Sequence, residues 1–333
     1  MTASESRPAE AASEPRDGLA RLRLPRRTGL RVLWGVRTVA IVLLAGFALT
    51  TPGFLTAGSL LTLLDTLSFV GCVAVGMTFI TLSGNIMSFS LGATLSATTI
   101  VFVAASLSFG VWAALAAAFL FSAALSAAQG WVIGYFRANP IIVTMAMLAL
   151  ITGLATYFTG GRGVYPQAGT LDFLKEGRIG PVSLPLVAFL ASVALGQFVL
   201  SFTRFGRNLY MVGSNPRAAE AAGIVGWRTV TAAYALAGVC TAISAVLMAA
   251  RYSTGEMTSG AGYEYQAISA VLVGGTAIQG GEGSAVRTLF GAFIIALVEG
   301  LLLLNGFSTA MQYFLVGVIV LGVIMLQTVG GTR

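Results

Sequence analysis

Long apolar segments separated by short polar connections follow one another from residue 32 to the C-terminus. A helix needs about 20 apolar residues to cross a bilayer, and about ten segments approach that length. They cover residues 32–51, 59–82, 86–106, 111–133, 141–159, 183–202, 229–250, 265–279, 287–305 and 310–329. Glycine and polar residues interrupt the third and the eighth. The pattern predicts an all-α polytopic membrane protein with about ten transmembrane helices.

Two glycine-rich breaks occupy corresponding places in the two halves of the chain. In each half an apolar segment runs into a glycine cluster and then into a second apolar segment. The first cluster follows Leu82, and the second covers Gly274–Gly283. Paired interrupted helices are typical of a transport pathway, although glycines also serve simply to let helices pack closely. We therefore expect interrupted helices in two pseudo-repeated halves.

The composition excludes a soluble enzyme. The 333 residues are 56% hydrophobic and only 9% charged, whereas soluble domains carry about 25% charged residues. Charges concentrate at the start of the chain, where residues 1–37 hold eight arginines and four acids. Residues 1–31 show no apolar period and predict a disordered basic cytoplasmic tail. This leaves residues 32–329 as one transmembrane domain.

The orientation in the membrane follows from arginine and lysine, which accumulate in cytoplasmic connections. With the N-terminus in the cytoplasm, 15 of the 19 basic residues fall inside and four fall outside. We therefore expect both termini to be cytoplasmic, with residues 204–228 as the largest internal cytoplasmic connection. The basic excess reflects these connections, and no nucleic-acid partner is expected.

The sequence lacks the residues that several kinds of catalysis and ligand binding require. The sequence contains no histidine, which excludes imidazole catalysis and histidine-ligated metals. The only lysine, Lys175, is followed by glutamate, so the Gly-Lys-Ser/Thr of a phosphate-binding loop is absent. Cys72 and Cys240 lie in apolar runs and are interpreted as small hydrophobic residues. We expect no metal or cofactor in this chain, and any ATPase must be another subunit.

The 204–228 connection carries the signals of a short helix. Asn215 suits the N-cap, Pro216 the first helical position, and Gly223 the stop. A helix of about two turns is marginal alone in water, so another part of the structure must hold it. Two interpretations stay open: a packed surface loop, or a docking element for a soluble partner.

Short motifs spread along the chain resemble those of one family. They are Phe205-Gly206-Arg207, Gly213-x-Asn215-Pro216-x-Ala218-Ala219, Ala222-Gly223-Ile224, Ala138-Asn139-Pro140-Ile141-Ile142-Val143-Thr144, Thr159-Gly160-Gly161, Gly262-Tyr263-Glu264, Gly274-Gly275-Thr276 and Gly280-Gly281-x-Gly283-Ser284. Over residues 59–328 the chain resembles the bacterial ABC-importer permeases for monosaccharides, of the ribose, xylose and galactoside type.

The resemblance implies the membrane subunit of a binding-protein-dependent importer in the bacterial inner membrane. Two permeases, identical or different, would form the pathway. A separate ATPase would bind ATP and Mg²⁺, and a secreted or periplasmic solute-binding protein would deliver the sugar. The residues that the resemblance assigns to coupling with the ATPase are Arg207, Asn215, Pro216, Arg217, Glu220 and Gly223.

One stretch departs from the family pattern. The family has an aspartate after its second span, whereas this chain has Met87 and Ser88 in a stretch that is one residue longer. A carboxylate at membrane depth usually has a function. Its replacement indicates either a different or less polar substrate, or a polar contact made neutral.

Polar residues in and beside the spans are candidates for the substrate pathway, because a sugar path needs hydrogen-bonding groups. They are Asn85, Ser88, Ser90, Asn139, Thr144, Thr276 and Gln279. A role in helix packing is the alternative for each. Glu264 and Glu299 lie near the outer ends of spans, where either could contact the binding protein, although solvation at the membrane interface is the simpler expectation.

Three other functions compete with an ABC-importer permease for a monosaccharide or related polyol. A permease of the same superfamily could carry a nucleoside or a branched-chain amino acid. An ion-coupled secondary transporter usually needs intramembrane acids, and after the tail only Asp65, Glu264 and Glu299 lie within or close to spans. An intramembrane enzyme is disfavoured, because the sequence has no histidine and no clustered Ser-Lys or Asp-Asp arrangement.

Overall fold

The structure is a computed structural model that describes residues 54, 56–85, 87–175, 177–179 and 182–330. These residues form eleven helices and one hairpin of two short antiparallel strands. In chain order the elements are α1 (Ala57–Leu82), α2 (Leu91–Phe136), α3 (Pro140–Thr159), α4 (Asp172–Lys175), β1 (Arg178–Ile179), β2 (Val182–Ser183), α5 (Leu184–Phe202), α6 (Arg204–Ser214), α7 (Pro216–Ala221), α8 (Gly226–Tyr252), α9 (Tyr263–Val273), α10 (Ala285–Leu304) and α11 (Thr309–Gly330). The predicted tail (1–31) and the first predicted span (32–51) lie outside the described residues.

Six of the described helices are long and apolar enough to cross a membrane, namely α1, α2, α3, α5, α8 and α10. The prediction of a helical polytopic membrane protein is confirmed. The α2 helix contains two of the predicted spans, because its 46 residues measure about 69 Å, roughly twice the thickness of a hydrocarbon core. Non-helical dihedral angles at Gly110 (φ 80°, ψ 169°) separate these two segments. The total of ten spans stays a prediction.

Two of the predicted spans are shorter in the structure than in the sequence pattern. The third begins only at Leu91, after an irregular stretch. The eighth, predicted over 265–279, is the eleven-residue helix α9, which ends at Val273. A continuous helix to residue 279 is therefore wrong, because Gly275 adopts a positive φ of 87°, a conformation that ends a helix. Eleven residues rise about 16 Å, half of a hydrocarbon core.

The α1 and α8 helices form the centre of the described fold. Both are mostly buried, and their buried hydrophobic residues, among them Met77, Tyr234 and Ala237, belong to one cluster. The α3 helix is the opposite case, with Thr144 and Ile151 as its buried residues. Apolar side chains on its outer faces suit a lipid environment, because lipid tails are as apolar as leucine.

The second half of α2 packs against α8 through small residues four positions apart. They are Ala114, Ala118, Ser122, Ser126 and Gly130, all of them buried. The Ser122 hydroxyl donates a hydrogen bond to the carbonyl oxygen of Gly238 on α8 at 2.7 Å. A Cβ on Gly238 would overlap the Ser122 carbonyl oxygen. The two backbones approach closely because these positions carry small side chains or none, as is usual between membrane helices.

We expect Gly238→Ala to destabilise the protein by about 1–3 kcal/mol, the usual effect of overpacking, because the new methyl group has no space against α2. Gly153→Ala on α3 is the matched control, since no atom lies within 4 Å of its Cβ position and alanine favours a helix. The measurement is thermal unfolding of each purified variant in detergent. Equal stability of the two variants would contradict the close α2–α8 packing.

Candidate functional site

The short helix α7 forms where the sequence predicts it. The Asn215 side-chain oxygen accepts a hydrogen bond from the Ala218 N–H at 3.1 Å, and Pro216 stands in the first turn. The helix ends at Ala221, two residues before Gly223, whose φ is 79°. The N-cap, the first-turn proline and the glycine stop are therefore confirmed as structural features.

Two contacts hold α7 against the rest of the chain. Ala219 is buried, and the Glu220 carboxylate accepts a hydrogen bond from the Arg137 guanidinium at 2.7 Å. Arg137 directly follows the last residue of α2. Both charged side chains are more than half exposed, so the pair contributes at most about 1 kcal/mol. It fixes the position of α7 relative to the end of α2.

The preceding helix α6 has one buried face and one exposed face. The Thr203 hydroxyl caps its start by accepting a hydrogen bond from a backbone N–H three residues later, at 3.1 Å. Leu209 and Val212 are buried, whereas Arg204 and Arg207 are exposed. A helix with this pattern lies along a surface with its apolar side inward. The α6–α7 segment therefore rests on the membrane-spanning helices and presents its charges to solvent.

The end of α6 lies where the two glycine-rich breaks meet. The Gly281 N–H donates a hydrogen bond to the Leu82 carbonyl oxygen at 3.1 Å, which joins the second break to the end of α1. A Cβ on Gly213 would overlap the same carbonyl oxygen, and a Cβ on Gly280 would lie 2.5 Å from the Cα of Gly84. We refer to Leu82, Gly84, Gly213, Gly280 and Gly281 as the glycine junction.

A tyrosine adds another link between α6 and the second break. The Tyr210 hydroxyl donates a hydrogen bond to the Gly283 carbonyl oxygen at 2.8 Å. Burial raises the pKa of Tyr210 above its ordinary value, while the positive charge of Arg287 acts in the opposite direction. The hydroxyl therefore stays protonated at neutral pH and retains the proton that it donates.

The glycine junction brings three stretches of main chain together without side chains between them. Close-packed contacts of this kind compress little. A displacement of α6 would therefore act on both breaks at once. Gly84 and Gly280 have φ angles of 83° and 85°, which residues other than glycine rarely adopt. The arrangement is suited to transmit a displacement of the α6–α7 segment to the two breaks.

An open groove lies beside α7. Its volume is about 420 Å³, and its walls come from the end of α2, from α7 and from the start of α8. The Arg137–Glu220 pair lines it, together with Tyr135 and Trp227. The Arg228 guanidinium lies 5.2 Å from the centre of a Trp227 ring. The groove combines aromatic surface with charge, a composition that is common at protein interfaces.

Three of the predicted pathway residues lie together in the first break. Ser88 and Ser90 are within hydrogen-bond distance of each other at 3.1 Å, and the Ser90 hydroxyl donates to the Gln129 side-chain oxygen at 2.5 Å. Asn85 donates to the Ser83 hydroxyl at 2.7 Å. Gln129 was not among the predicted residues, although an amide inside the predicted span 111–133 was an available signal.

This network occupies the region where the family pattern has an aspartate. Met87 and Ser88 are both buried there, and the hydrogen bonds of the two serines are made with neutral groups. The observation favours the second of the two interpretations given above, in which a polar contact has been made neutral.

The other four predicted pathway residues are spread over two elements. Asn139 is exposed and caps α3 by accepting a hydrogen bond from the Ile141 N–H at 3.0 Å, while the Thr144 hydroxyl bonds its own helix. Thr276 is buried in the second break, and Gln279 is exposed there. None of the seven residues lines the groove beside α7 or the cavity between the first turns of α1 and the last turns of α10. Their role in substrate contact stays a prediction.

The membrane acids are placed differently from the sequence-based expectation. Glu264 and Glu299 are more than nine-tenths buried, so solvation at the membrane interface is wrong for both. Asp65 on α1 accepts a hydrogen bond from Arg251 of α8 at 3.0 Å. Hydropathy locates a span but does not reveal which neighbouring helix covers each side of it.

Comparison with known proteins finds one matching permease family and several similar sugar permeases. The family described as "Branched-chain amino acid transport system / permease component" matches residues 59–324. The ribose import permease protein RbsC of Escherichia coli (strain K12) is 31% identical over 288 residues, covering 84% of this chain and 89% of the relative. RbsC of Bacillus subtilis (strain 168) is 31% identical over 285 residues, with 84% and 88% covered. The L-arabinose ABC transporter permease protein AraH of Azospirillum brasilense is 30% identical over 291 residues, with 86% and 85% covered.

No solved structure matches the chain. The family match extends from the third residue of α1 to within α11, and it includes both breaks and the α6–α7 segment. The chain therefore belongs to the branched-chain amino acid transport system permease family.

Proposed function

We propose that this chain is the permease subunit of an ABC importer that carries a monosaccharide across the bacterial inner membrane. The observation that carries the proposal is the identity of about 30% with permeases for ribose and for L-arabinose, over more than four-fifths of the chain. Both of these sugars are pentoses, so a small polyhydroxyl substrate is the simplest common feature. The six membrane-crossing helices support a translocating role.

The energy for transport comes from a separate ATPase subunit in this proposal. The sequence has no phosphate-binding loop of its own, and the partner binds ATP and Mg²⁺. The ATPase contacts α7 and the adjacent groove. Arg217 is exposed on α7, and Glu220 lies at the edge of the groove. Asn215, Pro216 and Gly223 fix the shape of this docking element.

Movement reaches the membrane through α6 and the glycine junction. Closure of the ATPase displaces α7, and Arg207 on α6 lies on the membrane side of the contact. The junction then shifts both breaks together, because no side chain separates the three backbones. The pathway passes the breaks, where Asn85, Ser88 and Thr276 are located. Two permease copies, identical or different, complete it.

The outer face of the permease receives the sugar from a secreted solute-binding protein. In the proposed orientation both termini and the α6–α7 segment are cytoplasmic, and the connection from Gly160 to Ser183 is external. The asymmetry in basic residues supports this orientation.

A branched-chain amino acid is the second candidate cargo, because the family description names this substrate class. The relatives with about 30% identity are instead named as permeases for sugars. The two cargoes differ in charge, since an amino acid presents an ammonium and a carboxylate where a sugar presents only hydroxyls. Uptake assays separate them directly.

We expect proteoliposomes with the permease, its ATPase and its binding protein to accumulate a monosaccharide only when ATP is supplied. The permease alone should transport no solute under a proton or sodium gradient, because in this proposal transport is driven by ATP hydrolysis on another subunit. The measurement is uptake of radiolabelled ribose, L-arabinose and leucine. Leucine uptake without sugar uptake would establish the second cargo, and gradient-driven uptake by the permease alone would contradict an ABC mechanism.

The proposed orientation predicts opposite labelling of two exposed positions. A membrane-impermeant thiol reagent should label Ala168→Cys in spheroplasts, whereas Arg217→Cys should react only after the membrane is broken. Cys72 and Cys240 are buried, so the label reports the introduced cysteine. Labelling of Arg217→Cys in intact spheroplasts would place α7 on the wrong side for an ATPase.

A charge swap tests whether Glu220 contacts the ATPase or only positions α7. Glu220→Arg breaks the pair with Arg137, and Arg137→Glu/Glu220→Arg restores a pair in reverse. We expect uptake per ATP to fall at least about fivefold in both variants, since losing roughly 1 kcal/mol at an interface has this effect. Full recovery in the double variant would show that Glu220 acts only within the permease.

The control for the charge swap is Arg287→Glu, an exposed charge reversal at the start of α10, on the same side of the proposed topology but outside the α6–α7 segment. Uptake per ATP should stay unchanged in this variant. An equal loss in the control would mean that the assay responds to surface charge in general.

A further inference from the structure

A second cavity lies at the far end of α1 from the glycine junction. It has a volume of about 480 Å³ and lies between the first turns of α1, the last turns of α10 and the start of α11. The 26 residues of α1 rise about 39 Å. The cavity is therefore separated from the junction by about the thickness of a membrane, and in the proposed orientation it is on the external side.

One wall of this cavity is a row of hydroxyl groups on α1. Thr56, Ser59, Thr62 and Thr66 all line it. Their spacing of three or four residues places them on one face of the helix. Thr66 lies ten positions after Thr56, so the row extends about 15 Å along the axis.

The opposite wall contains a buried carboxylate. Glu299 lines the cavity and is 7% exposed, and the Gln266 side chain of α9 lies beside it. An ionisable group inside a span is unfavourable unless it has partners, and such groups usually mark a functional site. Gln312 of α11 adds an amide to the same cavity.

We infer that this outer cavity is a binding site for the monosaccharide as it enters the permease, with Glu299 accepting hydrogen bonds from the sugar hydroxyls. The inference rests on the proposed function and names where its substrate first binds. The Thr56 and Thr62 hydroxyls already donate hydrogen bonds within the chain, so the hydroxyl oxygens of α1 serve the sugar mainly as acceptors. Phe54 and Leu303 supply apolar surface for the C–H faces of the sugar ring.

A sugar fits these groups better than a metal cation does. A hard cation gathers six to eight oxygen ligands at about 2.3–2.6 Å, whereas this cavity offers one carboxylate among hydroxyls, an amide and apolar side chains. A neutral polyhydroxyl molecule uses separated donors and acceptors and also contacts the apolar walls. A site with one carboxylate and several hydroxyls binds moderately, which allows the solute to leave.

The first test is protection of a cysteine in the cavity wall. Thr62→Cys in the complex with the ATPase should react more slowly with an impermeant thiol reagent when ribose or L-arabinose is present. Ala168→Cys, exposed outside the cavity, is the matched control and should react at the same rate with and without sugar. Mannitol and sodium chloride, each tested alone, measure the response to another polyol and to a cation.

The second test is transport by Glu299→Gln at saturating sugar-loaded binding protein. We expect the uptake rate to fall about tenfold, as for loss of a hydrogen bond to a charged group, while the binding protein still stimulates ATP hydrolysis. Glu264→Gln is the matched control, because Glu264 is equally buried and does not line the cavity. Its uptake rate should exceed that of Glu299→Gln severalfold.

Protection of Thr62→Cys by a transported sugar, together with selective loss of uptake in Glu299→Gln, supports the site. Failure of either result overturns it, as does protection by sodium chloride or by mannitol equal to that by the transported sugar. The proposed function fails separately, if the wild-type complex takes up neither sugar with ATP. A wild-type complex that imports sugar while Glu299→Gln is unaffected would leave the proposed function intact and remove only this site.

Discussion

The described fold depends on a backbone contact that only glycine permits. At the glycine junction, the Gly281 N–H donates to the Leu82 carbonyl oxygen at 3.1 Å, and Gly213 lies against the same carbonyl without a side chain. Three segments that are far apart in sequence are thereby joined at one point. A methyl group at Gly213 or Gly280 would have to separate them, because packed interiors do not yield easily. The α6–α7 segment and the two breaks consequently form one unit.

The α1 helix connects this unit to the opposite end of the molecule. Leu82 ends it at the junction, while the hydroxyl row from Thr56 to Thr66 begins it beside Glu299. Between these ends α1 is mostly buried against α8. Few charged side chains lie between the two ends of α1. The Asp65–Arg251 pair lies towards the outer end. A largely neutral interior with polar groups at the ends and breaks is what a protein needs to pass an uncharged solute through lipid, since uncompensated charge there is unfavourable.

Local features of this fold could be predicted from the sequence, and long-range ones could not. Apolar length located the crossing helices, and Asn215, Pro216 and Gly223 located α7, because spans and caps depend on neighbouring residues. The Arg137–Glu220 pair joins residues 83 positions apart, so no local pattern contains it. The early end of α9 depends on the conformation of Gly275, which follows the helix. The burial of Glu299 depends on α9 and on the ends of α1 and α11 that surround it. Periodicity indicates that a segment crosses the membrane, but not which partners it finds.

The most direct test of the central claim is a distance measurement between α7 and the second break during the ATP cycle. Spin labels at Arg217→Cys and Gln279→Cys, both exposed positions, report this distance in the reconstituted complex by pulsed electron paramagnetic resonance. The glycine junction predicts that the mean distance is the same in the nucleotide-free and the ATP-bound states, because α6, α7 and the break move as one unit. A shift larger than the width of the distance distribution, in a complex that still imports solute, would show that the two move independently and would contradict the account.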